Sequence, residues 1–278
     1  MNITRIMESL TTKYINIPAT LIDMDKLFLT GSAVFDSLLQ GYEGGVLTTL
    51  YGPSGTGKTT VCLLACIAAV KSGKKVIFVD TEASFSTTRF QQLLQEPMEP
   101  FLDKIFLLRP MSFADQIKTI GKLRDLVNDS IGLVVIDSIS MLYRAELAKQ
   151  EGIKSVNSEL GLQLFYLNTL ARKFMIPVLM TSQVYADFDA KDRVKVVGGD
   201  ILKYGSKCLI EIEKYKTLRK ATVIKHRFIP ENKSVLFEIK EKGFEAVELP
   251  VQPVSVKQKI EKKEETQDVE FEGANLIH

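Results

Sequence analysis

Histidine and cysteine are scarce in this chain. Its 278 residues hold two histidines, His226 and His278, and three cysteines, Cys62, Cys66 and Cys208, with no CxxC pair. A zinc or disulfide framework therefore has no ligand set to use, and the free thiols fit a reducing cytosol. Cys62 and Cys66 stand four apart in a stretch with helical spacing, so they read as small apolar residues facing a core. Long apolar runs are missing too: no segment approaches the ~18 residues that a membrane helix needs, and the opening MNITRIMESLTTKY has no basic region followed by an unbroken apolar stretch. The expectation is a soluble, cytoplasmic protein with no membrane partner. Charge of one sign is also lacking: 36 Lys and Arg against 34 Asp and Glu leave a net +2, too little to argue for nucleic acid unless the charges are clustered. No internal repeat is evident.

What is present suffices for one large α/β core, with 45% hydrophobic and 25% charged residues. From Val46 onward the short apolar runs VLTTLY, VIFVD, KIFLL, GLVVID and PVLMT alternate with stretches of 3.6-residue apolar spacing. Strands that are apolar on both faces predict a doubly wound, mostly parallel sheet flanked by helices. Helices are expected near 58–71, 87–95, 112–127 and 158–174, the last stopping before Pro177. Past Gly205 the runs CLIEIE, ATVIKHRF and SVLFEI predict an antiparallel C-terminal edge. The core is expected to span 25–250, after a lead-in of 1–24. Residues 251–278 are rich in Lys, Glu and Gln, and are expected to be a disordered tail because they cannot bury enough surface to offset their ordering entropy.

Residues 52–59 read GPSGTGKT. Gly, four free positions, Gly, Lys and then Ser or Thr recurs by chance in roughly one chain in a hundred of this length. Here the pattern follows a predicted strand and opens a predicted helix, which is the context its chemistry needs. Glycines allow backbone N–H groups to turn toward phosphate oxygens, and the helix N-terminus adds partial positive charge. The candidate nucleotide-binding residues are Gly52, Pro53, Ser54, Gly55, Thr56, Gly57, Lys58, Thr59 and Thr60. Lys58 is expected to reach the β and γ phosphates of ATP. The Thr59 hydroxyl would serve Mg²⁺, with Asp137 at the end of LVVID as that ion's acidic partner. Glu82 closes the run FVDTE, expected beside the strand of the phosphate loop, and is the candidate general base for the attacking water.

GPSGTGKT, VDTE, VVIDS and MTSQV, in this order and spacing, together with the upstream TGSAVFDSLLQGYEGG, resemble the core of the RecA/RadA recombinase family over about 29–247. The chain is most similar to the short members that lack an N-terminal helix-hairpin-helix domain. The resemblance implies that Gln183 senses the γ-phosphate and joins Lys58 and Glu82 in catalysis, that Arg89 lies against adenine, and that Pro230 caps a neighbour's adenine. It also implies that Lys225 and Arg227, in KHR, act on a neighbouring subunit's phosphates in a homo-oligomer.

In that family the loops after the Asp137 and Gln183 strands face DNA. Here they carry Arg144, Lys149 and Lys154, then Lys191, Arg193 and Lys195. The segment from Asp187 to Arg227 holds eleven Lys and Arg against six Asp and Glu, the kind of local excess that binds phosphate backbones without reading sequence. Phe188 is a candidate for base stacking. Where the family has a second arginine late in the first loop this chain has Val156, and the second loop is several residues shorter. Both departures point away from strand exchange. Phe271 to Ala274 in the tail fit a Phe-x-x-Ala docking pattern. The implied function is a weakly hydrolysing, DNA-binding ATPase that assists a RadA-type recombinase in recombination and repair, with a Holliday junction resolvase as a further implied partner. A complete strand-exchange recombinase and a KaiC-like nucleotide switch without DNA are the alternatives.

Overall fold

Strand follows helix from Leu47 onward, as the alternating pattern predicts. The computed structural model describes residues 26–149, 152–186 and 194–248. They open with β1 (Leu27–Phe28), α1 (Ala33–Leu39) and β2 (Tyr42–Glu43), a short hairpin strapped by the helix. The alternating units are β3 (Leu47–Tyr51), α2 (Lys58–Lys71), β4 (Lys75–Asp80), α3 (Thr87–Leu94), α4 (Glu99–Leu102), β5 (Ile105–Leu108), α5 (Phe113–Leu126) and β6 (Ile131–Asp137). Then come α6 (Met141–Leu147), α7 (Ile153–Phe174), β7 (Val178–Ser182), β8 (Val184–Ala186), β9 (Val194–Val196) and α8 (Gly199–Gly205). The chain finishes its sheet with β10 (Cys208–Tyr215), β11 (Leu218–Lys225), β12 (Ser234–Lys240) and β13 (Gly243–Ala246). Ser32, Ser86 and Ser112 accept from Phe35, Arg89 and Asp115 N–H and so start α1, α3 and α5.

Nine strands form one sheet in the order β13, β12, β11, β10, β3, β7, β6, β4, β5. Pairing is parallel from β10 through β5 and antiparallel from β10 to β13. This corrects two expectations. CLIEIE does not lie wholly in the antiparallel edge, because β10 runs parallel to β3 on one side and antiparallel to β11 on the other. The strand of the phosphate loop is not beside that of Glu82 either: β7 and β6 stand between β3 and β4. The last long helix begins at Ile153 rather than Ser158, since buried Val156 extends its apolar face upstream of Leu160. Met175, in the left-handed region, closes it before Pro177.

Alternate residues of the central strands feed two cores. Val76, Phe78, Leu133 and Val135 pack under α2 and α3, while Ile77, Val79, Val134 and Ile136 pack under α5 and α7. That two-sided burial is why these strands read as unbroken apolar runs. A ring cluster of Phe35, Phe237 and Phe244, with centroids 4.8 to 5.9 Å apart, ties α1 to the β12–β13 hairpin. Each such pair contributes about 0.5–1.5 kcal/mol beyond area burial. No described helix is long and apolar enough to cross a membrane.

Cys62 and Cys66 on α2 and Cys208 on β10 are all buried in the same core. Burial pushes each thiol up, the Cys208 thiol to about 12, which leaves almost no thiolate near neutrality. Brief maleimide treatment of the folded protein is expected to label none of the three, and treatment in denaturant all three, counted by intact mass. Fast labelling of the native chain would contradict this burial.

Candidate functional site

The carboxyl ends of β3, β6 and β7 and the bend beyond β4 converge on an open cavity of about 530 Å³, floored by the loop between β3 and α2. Gly52 leaves β3 at φ 149°, and a Cβ there would lie 2.0 Å from the Ile212 carbonyl oxygen of β10. Only glycine fits this approach. Gly57, at φ 99°, starts α2. Thr56 is fully buried and its hydroxyl donates to the Pro53 carbonyl at 3.0 Å, which tightens the loop from below.

Lys58 folds back over this loop, and its Nζ donates to the carbonyls of Gly52 and Pro53 at 2.8 Å each. Burial lowers its pKa, against the opposing pull of the Asp137 and Glu82 charges. Asp137 is itself buried at the end of β6. Its Oδ2 accepts from the Thr59 hydroxyl at 2.7 Å and the Ser84 hydroxyl at 2.8 Å, and its Oδ1 accepts from Thr181 at 2.5 Å. Burial raises its pKa and the three hydroxyls work in the opposite direction.

Glu82 is not the last residue of its strand. β4 ends at Asp80, and Glu82 sits in the bend beyond it. That bend carries it across to the neighbouring strand ends, where its Oε1 accepts from the Ser138 hydroxyl at 2.6 Å and from Gln183 Nε2 at 2.9 Å. The two loops are stitched by backbone as well. Thr81 Oγ1 donates to the Ser138 carbonyl at 2.7 Å and accepts from Ser138 N–H at 2.8 Å, while Thr81 N–H donates to the Asp137 carbonyl. Buried Asp80 accepts from Ser84 and Phe85 N–H at 2.8 and 3.2 Å, which fixes the curl of the bend. The result is a carboxylate tied through Oε1 to the ends of β6 and β7, opposite a lysine and a buried acid.

The sequence profile of the Rad51 family matches residues 25–247. The chain belongs to the Rad51/RecA family, in its RadB branch. "DNA repair and recombination protein RadB" of Thermococcus gammatolerans is 43% identical over 226 residues, covering 78% of this chain and 98% of that protein. Its counterpart from Methanoculleus marisnigri is 39% identical over 223 residues, covering 78% and 97%. A solved structure described as "Crystal structure of the RadB recombinase" superimposes with a TM-score of 0.69 at 38% identity, over 80% of this chain and all of that one. The Rad51/RecA family is one of nucleotide-binding ATPases, and the convergence of Lys58, Thr59 and Asp137 has the form such an ATPase needs.

The remaining site residues of this RadB-branch chain fall in several places. Arg89 does not line the cavity floor. Its guanidinium donates to the carbonyls of Lys240 and Glu241 at 2.8 Å each, clamping the β12–β13 turn, while Ile239 of that hairpin reaches the cavity wall. Lys225 Nζ donates to the carbonyls of Lys203 and Ser206 at the end of α8. Arg227 pairs with buried Glu43, one bond from Nε measuring 3.0 Å. Pro230 is exposed. Arg144, expected among the DNA contacts, lines this cavity. Lys191, Arg193 and Phe188 lie outside the described residues, as do the side chain of Lys195, the lead-in 1–24, and Phe271 to Ala274 with their tail.

Sequence reasoning passed over several participants. Ser84, Ser138 and Thr181 supply hydroxyls at the strand ends, and Arg219 of β11 donates from Nε to the Gly55 carbonyl at 3.2 Å. The hydroxyl residues carry a readable signal, since each falls within three residues of an acid or Gln183 at a predicted strand end. Arg219 carries none, because its approach depends on β10 lying beside β3.

Proposed function

We propose that this cavity binds ATP with Mg²⁺ and hydrolyses it slowly, and that the protein acts in the cytoplasm on DNA as an accessory of a RadA-type recombinase. The observation that carries this reading is the meeting of Lys58, the Thr59–Asp137 pair and the Glu82–Gln183 pair on one cavity. Backbone amides of the loop and α2, with Lys58, would hold the phosphates, and Arg89 and Ile239 would border the base. The buried Asp137 carboxylate, surrounded by hydroxyls and disfavoured as an anion, fits a divalent cation held by Thr59 and Asp137. Mg²⁺, when bound, supplies positive charge to the phosphate oxygens. Glu82 would orient and deprotonate water, and Gln183, bonded to it, would pass the state of the γ-phosphate to the loop beyond β7. Lys225 and Arg227 would act on a neighbouring subunit's phosphates only after exchanging their present partners, with Pro230 capping its adenine. DNA contact falls to the first and second loops, including Lys191, Arg193 and Lys195, through phosphates rather than bases.

The RadB relatives, DNA repair and recombination proteins by name, support recombination and repair as the setting. The test is ATP turnover by the full chain, alone, with single-stranded DNA and with a RadA-type recombinase, alongside joint-molecule formation. Slow turnover, salt-sensitive DNA retention and no joint molecules from this protein alone are expected. Joint molecules without the recombinase would make it a strand-exchange enzyme, and absent DNA retention would make it a nucleotide switch. Deleting 251–278 is expected to reduce capture of the recombinase, and unchanged capture would remove the docking role of Phe271 to Ala274.

A further inference from the structure

Arg144 sits midway along the seven-residue α6, seven residues beyond Asp137, and lines the cavity read above as the nucleotide site. The base of this helix is anchored, because the Ser140 hydroxyl accepts from Gln183 N–H at 2.9 Å and the Ser140 carbonyl accepts from Arg144 N–H at 2.9 Å. The start of α6 is therefore held against the end of β7, where Gln183 and Glu82 meet. The guanidinium itself is uncommitted: it is exposed, and no described side chain or carbonyl bonds to it. Two acids share the cavity and neither bonds to Arg144: Glu82 accepts through Oε1 from Ser138 and Gln183, and Asp137 accepts from Thr59, Ser84 and Thr181. Lys58, the other cation of the cavity, already spans two carbonyls.

A planar fork of N–H donors on a helix held at the cavity wall, with no bond of its own to a described residue, matches the oxygens of a phosphate. We propose that Arg144 binds the terminal phosphate of the nucleotide held by its own subunit, so that the loop after β6 distinguishes a triphosphate from a diphosphate. This rests on the nucleotide reading of the cavity and adds a residue and a selectivity to it. Engagement of the guanidinium on the nucleotide also removes it from the first loop's set of DNA contacts. The loop's affinity for DNA phosphates then depends on which nucleotide is bound.

The experiment is equilibrium binding of a non-hydrolysable ATP analogue and of ADP, each with Mg²⁺ and without DNA, to the wild-type chain, Arg144→Ala and Arg144→Lys. The readout is the preference for triphosphate over diphosphate within each protein. Loss of a charge-assisted phosphate contact predicts about a tenfold to hundredfold fall in that preference for Arg144→Ala, with partial recovery in Arg144→Lys. Should alanine bind neither nucleotide, the lysine variant decides, and a wild-type preference there overturns the bidentate role. A wild-type preference in Arg144→Ala also overturns the proposal, most directly if salt-sensitive DNA retention falls instead. A wild-type chain that binds neither nucleotide sinks the nucleotide reading and this one with it, whereas normal wild-type binding with an unchanged variant removes only the role of Arg144.

Discussion

Replacing Lys58 with alanine is expected to weaken MgATP binding by about a hundredfold or more while leaving the fold intact. The ammonium now spans the Gly52 and Pro53 carbonyls, and a bound triphosphate would offer it anionic oxygens instead. Each charge-assisted bond of this kind is worth about 1.5–3 kcal/mol, and about 1.4 kcal/mol is a factor of ten in affinity, so two lost phosphate contacts give the stated range. The fold survives because burial already disfavours the charged lysine, and the two carbonyls it leaves face an open cavity where water replaces it. Titration by calorimetry, with thermal unfolding as a control, checks both halves. Undiminished affinity would place the phosphates somewhere else.

Glu82→Gln is expected to slow ATP turnover by about 10²–10⁴-fold, the usual value of a positioned general base, with nucleotide affinity nearly unchanged. The substitution is close to isosteric. An amide oxygen can still accept from Ser138 and Gln183, as Glu82 Oε1 does now, so the loops after β4, β6 and β7 stay joined. What changes is the other end of the group: an amide nitrogen in place of Oε2 cannot accept a proton from water. Single-turnover hydrolysis separates the step from product release. Wild-type turnover in this variant would require a different group to position the water.

Much of this site was legible along the chain. The phosphate loop, Lys58, Thr59 and the acid at the end of an apolar run depend on chemistry packed into a few consecutive residues, and the alternation of runs announced the sheet. The errors were of another kind. β4 was expected beside β3, yet β7 and β6 intervene, and β10 joins the parallel part of the sheet before turning antiparallel. Apolar runs of similar length do not state which neighbour each will pair with. Arg144, expected from the resemblance to face DNA, also lines the cavity, at a helix that Ser140 ties to Gln183 by a bond across 43 positions, a placement no local pattern announces.

By itself, then, the sequence determined that amides, a lysine, a threonine and an acid would come together at a strand-to-helix turn, since glycine geometry and helix polarity act locally. Only the tertiary structure decided which carboxylate reaches that turn, which arginines border it and which are already bonded elsewhere. Those outcomes follow from strand order and loop crossing, where groups far apart in the chain compete for the same few hydrogen bonds, and no local pattern records who wins.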